Sequence, residues 1–138
     1  EVRRDRPEHR MQCSLFDRIR EHEGDYPVLR YVVAIPNGGF RHKVVAVEME
    51  REGCRPGVPD ILIPIPSRGF HGGWIENKVG RNQPSDHQKR WIAFLREQGY
   101  WVKISRSTDT GWLMIQWYLK INIDLPPDLA DEDMHHES

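Results

Sequence analysis

The chain has 138 residues, with 20 basic and 21 acidic side chains and a formal net charge of −1; that length suffices for one domain whose core needs neither disulfides nor a structural metal. A balance so close to zero excludes attraction to nucleic acid spread over the whole surface, so any such attraction must come from local clustering. Cys13 and Cys54 are isolated and far apart, which fits neither a disulfide framework nor a paired-thiolate zinc site and reads as two reduced thiols in a cytoplasmic protein.

The opening EVRRDRPEH contains no apolar run of the signal-peptide kind, and no apolar stretch approaches the roughly 20 residues of a spanning helix. A soluble protein without membrane contact is expected, and a first residue other than Met leaves room for missing terminal residues. Residues 7–23 read as a helix: Pro7 suits its first turn, and Glu8, Gln12, Leu15 and Ile19 fall on one face with Met11 and Phe16 beside them. A carboxylate thus points the same way as core residues. Gly24 and Pro27 end this helix, LRYVVAI (29–35) is β-branched and reads as a strand, and Pro36-Asn37-Gly38-Gly39 reads as a turn.

Residues 41–52 are ambiguous, because Val45, Val47 and Met49 alternate as in a strand while the length and the closing Gly53 suit a helix; helix is the preferred reading. DILIPI (60–65) is a short apolar strand, a glycine-rich loop covers 66–73, and WIENKV (74–79) is the next strand. Ser85 with Gln88 three residues later forms a capping box, and Gln88, Trp91, Ile92 and Leu95 share a helical face that Gly99 terminates. YWVKIS (100–105) is a further core strand. Ser107, Thr108 and Asp109 offer N-caps for a last helix bearing Trp112, Ile115, Gln116 and Leu119 on one side, with a strand as the alternative. The remainder, 124–138, is acidic and is expected to be a disordered tail, leaving a single domain over 1–123 that is net positive.

Charged groups inside two of these apolar runs need a partner, an ion or a function, since an unpaired buried charge costs several kcal/mol or more. Trp74, Glu76 and Lys78 share one face of WIENKV. Pairing of DILIPI with this strand brings Asp60 towards Glu76. Two carboxylates in one partly dry place repel each other unless a proton or cation lies between them, and a hard divalent ion such as Mg²⁺ accepts carboxylates, waters and phosphate oxygens together. Metal-assisted phosphodiester hydrolysis uses these parts, with the ammonium of Lys78 positioning water or offsetting charge on phosphorus oxygens. Each motif alone carries little: with 21 acids in 138 positions, an acid-x-Lys arises about once by chance, and Glu76 with Lys78 also reads as a plain same-face ion pair.

Order and context carry more. Gly-x-Pro-Asp, an apolar strand, a glycine loop, a strand holding Glu-x-Lys and a Ser-x-x-Gln helix start follow one another, behind an early helix with Glu8 and Gln12 and the segment IPNGGFR at 35–41. This arrangement, from about Glu8 to Leu119, resembles the VRR-NUC (virus-type replication and repair nuclease) family of the PD-(D/E)xK nuclease superfamily, with kinship to Holliday junction resolvases. The resemblance implies an α/β fold with a restriction-endonuclease-like core, a small mixed sheet flanked by helices. It implies a Mg²⁺- or Mn²⁺-dependent deoxyribonuclease, cutting branched or flapped DNA in replication and repair, working as a homodimer in a bacterial or phage-infected cell. Asp60 and Glu76 become metal carboxylates, the Asn77 carbonyl a further ligand, Glu8 a helix-borne acid completing the site directly or through water, Lys78 the catalytic lysine and Gln88 a supporting polar group. The family commonly has an aliphatic residue where this chain has Asn77.

Alternatives stand beside several of these. Gln88 is also explained by the capping box, Glu8 by the helix dipole, and Arg41, Arg81, Lys89 and Arg90, candidate phosphate contacts, also read as solvated surface charges. Competing functions are a non-catalytic DNA-binding module that retains the fold, a restriction-type or RNA-cleaving nuclease, and a structural partner protein.

Overall fold

A computed structural model describes residues 6–36 and 43–135. The turn expected at 36–39, most of IPNGGFR, Arg41 and His42 fall wholly or mainly on residues 37–42, outside the described part.

The first helix, α1 (Pro7–His22), opens on the proline and buries Leu15 and Ile19, the residues that the helical spacing points inward. A strand over 29–35 does not form. Pro27 starts a 3-10 turn, Pro27–Tyr31, and only Val33–Ala34 pair as strand β1. The reason is local: proline suits the first position of a helical turn, and a 3-10 turn puts positions three apart on one side. Leu29 and Val32 thereby both reach the core, at 0% and 4% exposure, while Val33 is left at 41%.

Helix α2 (Lys43–Arg51) settles the ambiguous segment as helix, with Val44, Val45 and Val47 exposed. Strand β2 (Ile61–Ile63) is shorter than DILIPI because Pro64 has no N–H for the ladder. Strand β3 (Gly73–Asn77) ends one residue before Lys78. Helix α3 (Asp86–Glu97) carries the complete capping box, with both the Ser85 and the Gln88 half made. Strand β4 (Trp101–Ser105) and helix α4 (Thr108–Leu119, capped by Ser107) follow as the sequence predicts.

The sheet order is β1-β2-β3-β4, with β1/β2 and β2/β3 antiparallel and β3/β4 parallel. A parallel pair needs a crossover, which α3 supplies. The main core joins β2, β3 and β4 to α1 and α4, with Ile61, Ile63, Ile75, Trp101, Ile115 and Tyr118 all fully buried. A second, smaller cluster of Ile92, Leu95 and Val102 lies between α3 and the opposite side of the sheet. The molecule is therefore a mixed four-stranded sheet with helices on both faces, the α/β arrangement that the resemblance implied.

The disordered tail expected from residue 124 onward is corrected over 124–135. Gln116, fully buried, accepts from the N–H groups of Ile123 and Asp124 at 2.9 Å each, and its amide donates to the Asp124 carboxylate. The Trp112 indole N–H also donates to Asp124, 3.2 Å away, and Trp101 donates to the Met134 carbonyl. Leu125 is 6% exposed, and a short helix α5 (Pro127–Ala130) packs Leu129 and Ala130 on the main core. Buried indole and amide groups must find partners, and this segment provides them, so acidity on its outer side is compatible with an ordered inner side.

Candidate active site

The register Ile61↔Ile75 makes Asp60 and Glu76 the next opposed pair at the open end of the β2/β3 hairpin. Opposed residues of an antiparallel pair send their side chains to the same face. Asn77 donates its backbone N–H to Asp60 Oδ2 at 2.8 Å, which ties that carboxylate to the end of β3. Lys78 donates its N–H to the Ser105 carbonyl, 2.9 Å away on β4. In a trans peptide the C=O points opposite to the N–H, so the Asn77 carbonyl faces away from β4, to the side that holds Asp60. Two carboxylates and a main-chain oxygen therefore gather at one end of β3.

Glu76 is only 2% exposed. Burial, then the charge of Asp60, push its carboxyl up to about 9 against the opposing pull of Lys78, with Glu8 adding a smaller upward push. Its Oε2 accepts from Gln88 Nε2 at 2.9 Å, while Oε1 is buried with no hydrogen-bond partner. Gln88 makes the cap and reaches Glu76 at once. Its Oε1 accepts from the Ser85 N–H at 2.8 Å in the capping box, and its amide nitrogen holds Glu76. The cap fixes the side chain that fixes the acid.

Gly57 locks these parts together. Its φ of +91° is one that side chains rarely adopt, and a Cβ there would meet the His87 backbone at 2.6 Å. Gly57→Ala is expected to cost roughly 1–3 kcal/mol from backbone strain alone, read as a lower denaturant midpoint, and to displace the first turn of α3 and hence Gln88.

On the other face of β3, Asn77 Nδ2 donates to Gln12 Oε1 at 2.5 Å. Gln12 stands one turn after Glu8, so α1 brings Glu8 within electrostatic reach of Glu76. Among the described residues no group of three or more His, Cys, Asp or Glu side chains is placed to hold a metal. Among those residues, Glu8 therefore does not make a three-acid cluster with Asp60 and Glu76. Arg81, Lys89 and Arg90 are exposed, and Arg90 donates to His87 Nδ1 at 3.1 Å; Arg41 lies outside the described residues. Reading the sequence did not single out Arg106, which donates to the carbonyls of Gly80 and Asn82 at 3.0 and 2.8 Å and pins the loop carrying Arg81. Nothing in local spacing joins Arg106 to that loop 24 residues earlier; only the parallel pairing of β3 with β4 does.

The family model of the VRR-NUC domain matches residues 32–109, the span that holds Asp60, Glu76, Lys78 and Gln88. The chain belongs to the VRR-NUC family. A solved structure described as a VRR-NUC domain protein is similar over 86% of this chain and 93% of its own, with a TM-score of 0.67 and 24% identity. That likeness establishes the shared fold. No curated protein matches.

The residues of this VRR-NUC chain fit a hard divalent cation. The donor set is all oxygen, the buried Glu76 Oε1 has no hydrogen-bond partner, and the displaced carboxyl of Glu76 takes up a proton where no cation replaces it.

Proposed function

We propose that this VRR-NUC protein is a divalent-metal-dependent deoxyribonuclease that hydrolyses phosphodiester bonds in branched or flapped DNA. The observation that carries this is the convergence of Asp60, Glu76 and the Asn77 main chain beside Lys78. A pure DNA-binding module gains nothing from two carboxylates facing a phosphate. Asp60, Glu76 and the Asn77 carbonyl are the groups to hold the ion, with Glu8 acting through water. A Mg²⁺ or Mn²⁺ ion bound there supplies Lewis acidity towards a phosphate oxygen and towards water. Gln88 holds one oxygen of Glu76 and so leaves the other to face the site. The Lys78 ammonium offsets negative charge growing on the phosphorus oxygens or orients the attacking water. Arg81, Lys89 and Arg90 are exposed, and in this reading they meet the DNA backbone.

Symmetric cutting of two strands by a domain with one site needs a second copy, so the active species is a homodimer. Exposed Val44, Val45 and Val47 on α2 offer apolar surface for that contact, and light scattering at micromolar concentration is expected to give twice the chain mass.

Titrating Mg²⁺, Mn²⁺ and Ca²⁺ against duplex, flap, four-way-junction and RNA substrates tests the reading. Cleavage of branched DNA that chelator abolishes and Asp60→Asn removes is the expected result. No cleavage with any ion points to the binding module, and cutting confined to RNA points to a ribonuclease.

A further inference from the structure

We propose that Asn77 and Gln12 form a positioning pair that aims Glu8 of α1 at the Asp60–Glu76 site. The inference rests on the metal-site reading above and assigns a role to Asn77, a polar residue at a buried strand position.

Asn77 is 2% exposed and shares its strand face with Ile75 and Gly73, which pack in the main core beneath α1 and α4. An apolar side chain suits that place, and an amide there has to find partners. Its Nδ2 finds one in Gln12 Oε1, 65 positions away in the chain, while its Oδ1 is buried with no hydrogen-bond partner. Helix α1 is otherwise seated by Leu15 and Ile19 in its later turns. Apolar packing is non-directional, whereas a hydrogen bond fixes the angle at which its partners meet. The earlier turns of α1, which carry Glu8, are tied by the Gln12 bond and by the Thr108 hydroxyl on the Met11 carbonyl, 3.3 Å long. Residues four apart lie on one helix face, so holding Gln12 also sets the direction of Glu8. The same Asn77 grips Asp60 through its backbone N–H, which places the helix-borne acid and the strand-borne acid in one frame.

Substitution at 77 leaves the main-chain carbonyl and N–H in place, so Asn77→Val removes the pairing while retaining the main-chain groups. Calorimetric Mn²⁺ titration of the full chain, without substrate, is carried out on wild type, Asn77→Val, Glu8→Gln and the double variant. Outer groups that orient a metal site are worth about 10- to 100-fold in affinity. Asn77→Val is expected to weaken Mn²⁺ binding about tenfold, Glu8→Gln by a similar factor, and the double variant no more than the weaker single one. Gln12→Leu, at a half-buried helix position, reproduces the loss and carries the test should Asn77→Val fail to fold. Losses that multiply in the double variant, or wild-type affinity in Asn77→Val or Gln12→Leu, overturn the pairing's role. A wild type that binds no Mn²⁺ overturns the nuclease reading together with this one, whereas wild-type binding with unaffected variants overturns this one alone.

Discussion

Lys78→Ala is expected to lower the single-turnover rate of DNA cleavage by about 10²- to 10³-fold, the usual loss when one group stabilising transition-state charge is removed. Mn²⁺ affinity stays at the wild-type level or rises slightly, because the ammonium is a like charge to the ion. Glu76→Gln is expected to lose both cleavage and Mn²⁺ binding. The contrast separates two jobs that share one strand end: Lys78 lies just past β3 and acts on the Glu76 environment by charge, whereas Glu76 presents a buried oxygen without a hydrogen-bond partner. Calorimetry and quenched-flow cleavage on the same preparations read the two quantities. Equal cleavage by Lys78→Ala and wild type removes Lys78 from the mechanism.

The second large effect is on stability and needs no DNA. Without a divalent ion, Glu76 keeps its proton in the fold up to about pH 9, against an ordinary value of 4.5, because burial and then Asp60 disfavour its charged form. Between these limits the folded chain binds one more proton than the unfolded chain. Its contribution is complete below pH 4.5 and is lost as pH climbs towards 9. The slope is at most about 1.4 kcal/mol per pH unit. Chemical denaturation of wild type and Glu76→Gln in chelator, compared at each pH, isolates this group from the histidines titrating in the same range. The expected difference is a wild-type slope that Glu76→Gln lacks. Mn²⁺ is expected to reverse it, since a cation bound there competes with the proton and stabilises most where the proton is gone. Parallel pH profiles for the two proteins remove the account of a buried, protonated Glu76.

Much of the candidate site was legible in one dimension because its chemistry is anomalous there. Asp60 and Glu76 interrupt apolar strands, and strands spend their inward positions on charge only at a cost. Gln88 was legible as a cap, since a capping box is a short-range pattern, but its second role on Glu76 required the α3 crossover to lay the helix over the sheet. Gln12 stood visibly in register with Glu8. Its partner Asn77, like the hold of Arg106 on the 80–82 loop, depends on separations of 65 and 24 residues that no local pattern encodes.

The misread segments have the same origin. Leu29 to Ile35 has strand propensity, yet Pro27 and the need to bury both Leu29 and Val32 turned it into a 3-10 turn and a two-residue edge strand. Residues 124–135 are polar enough to pass for disorder, yet the buried Gln116 and the indoles of Trp101 and Trp112 needed hydrogen-bond partners that this segment delivers. The sequence by itself determined helices α1 and α3, the order of the strands' chemistry and the presence of acids where a core should be, because periodicity, capping and charge are local properties. Only the tertiary structure decided which polar groups meet, because desolvation and hydrogen-bond satisfaction depend on what lies across the sheet.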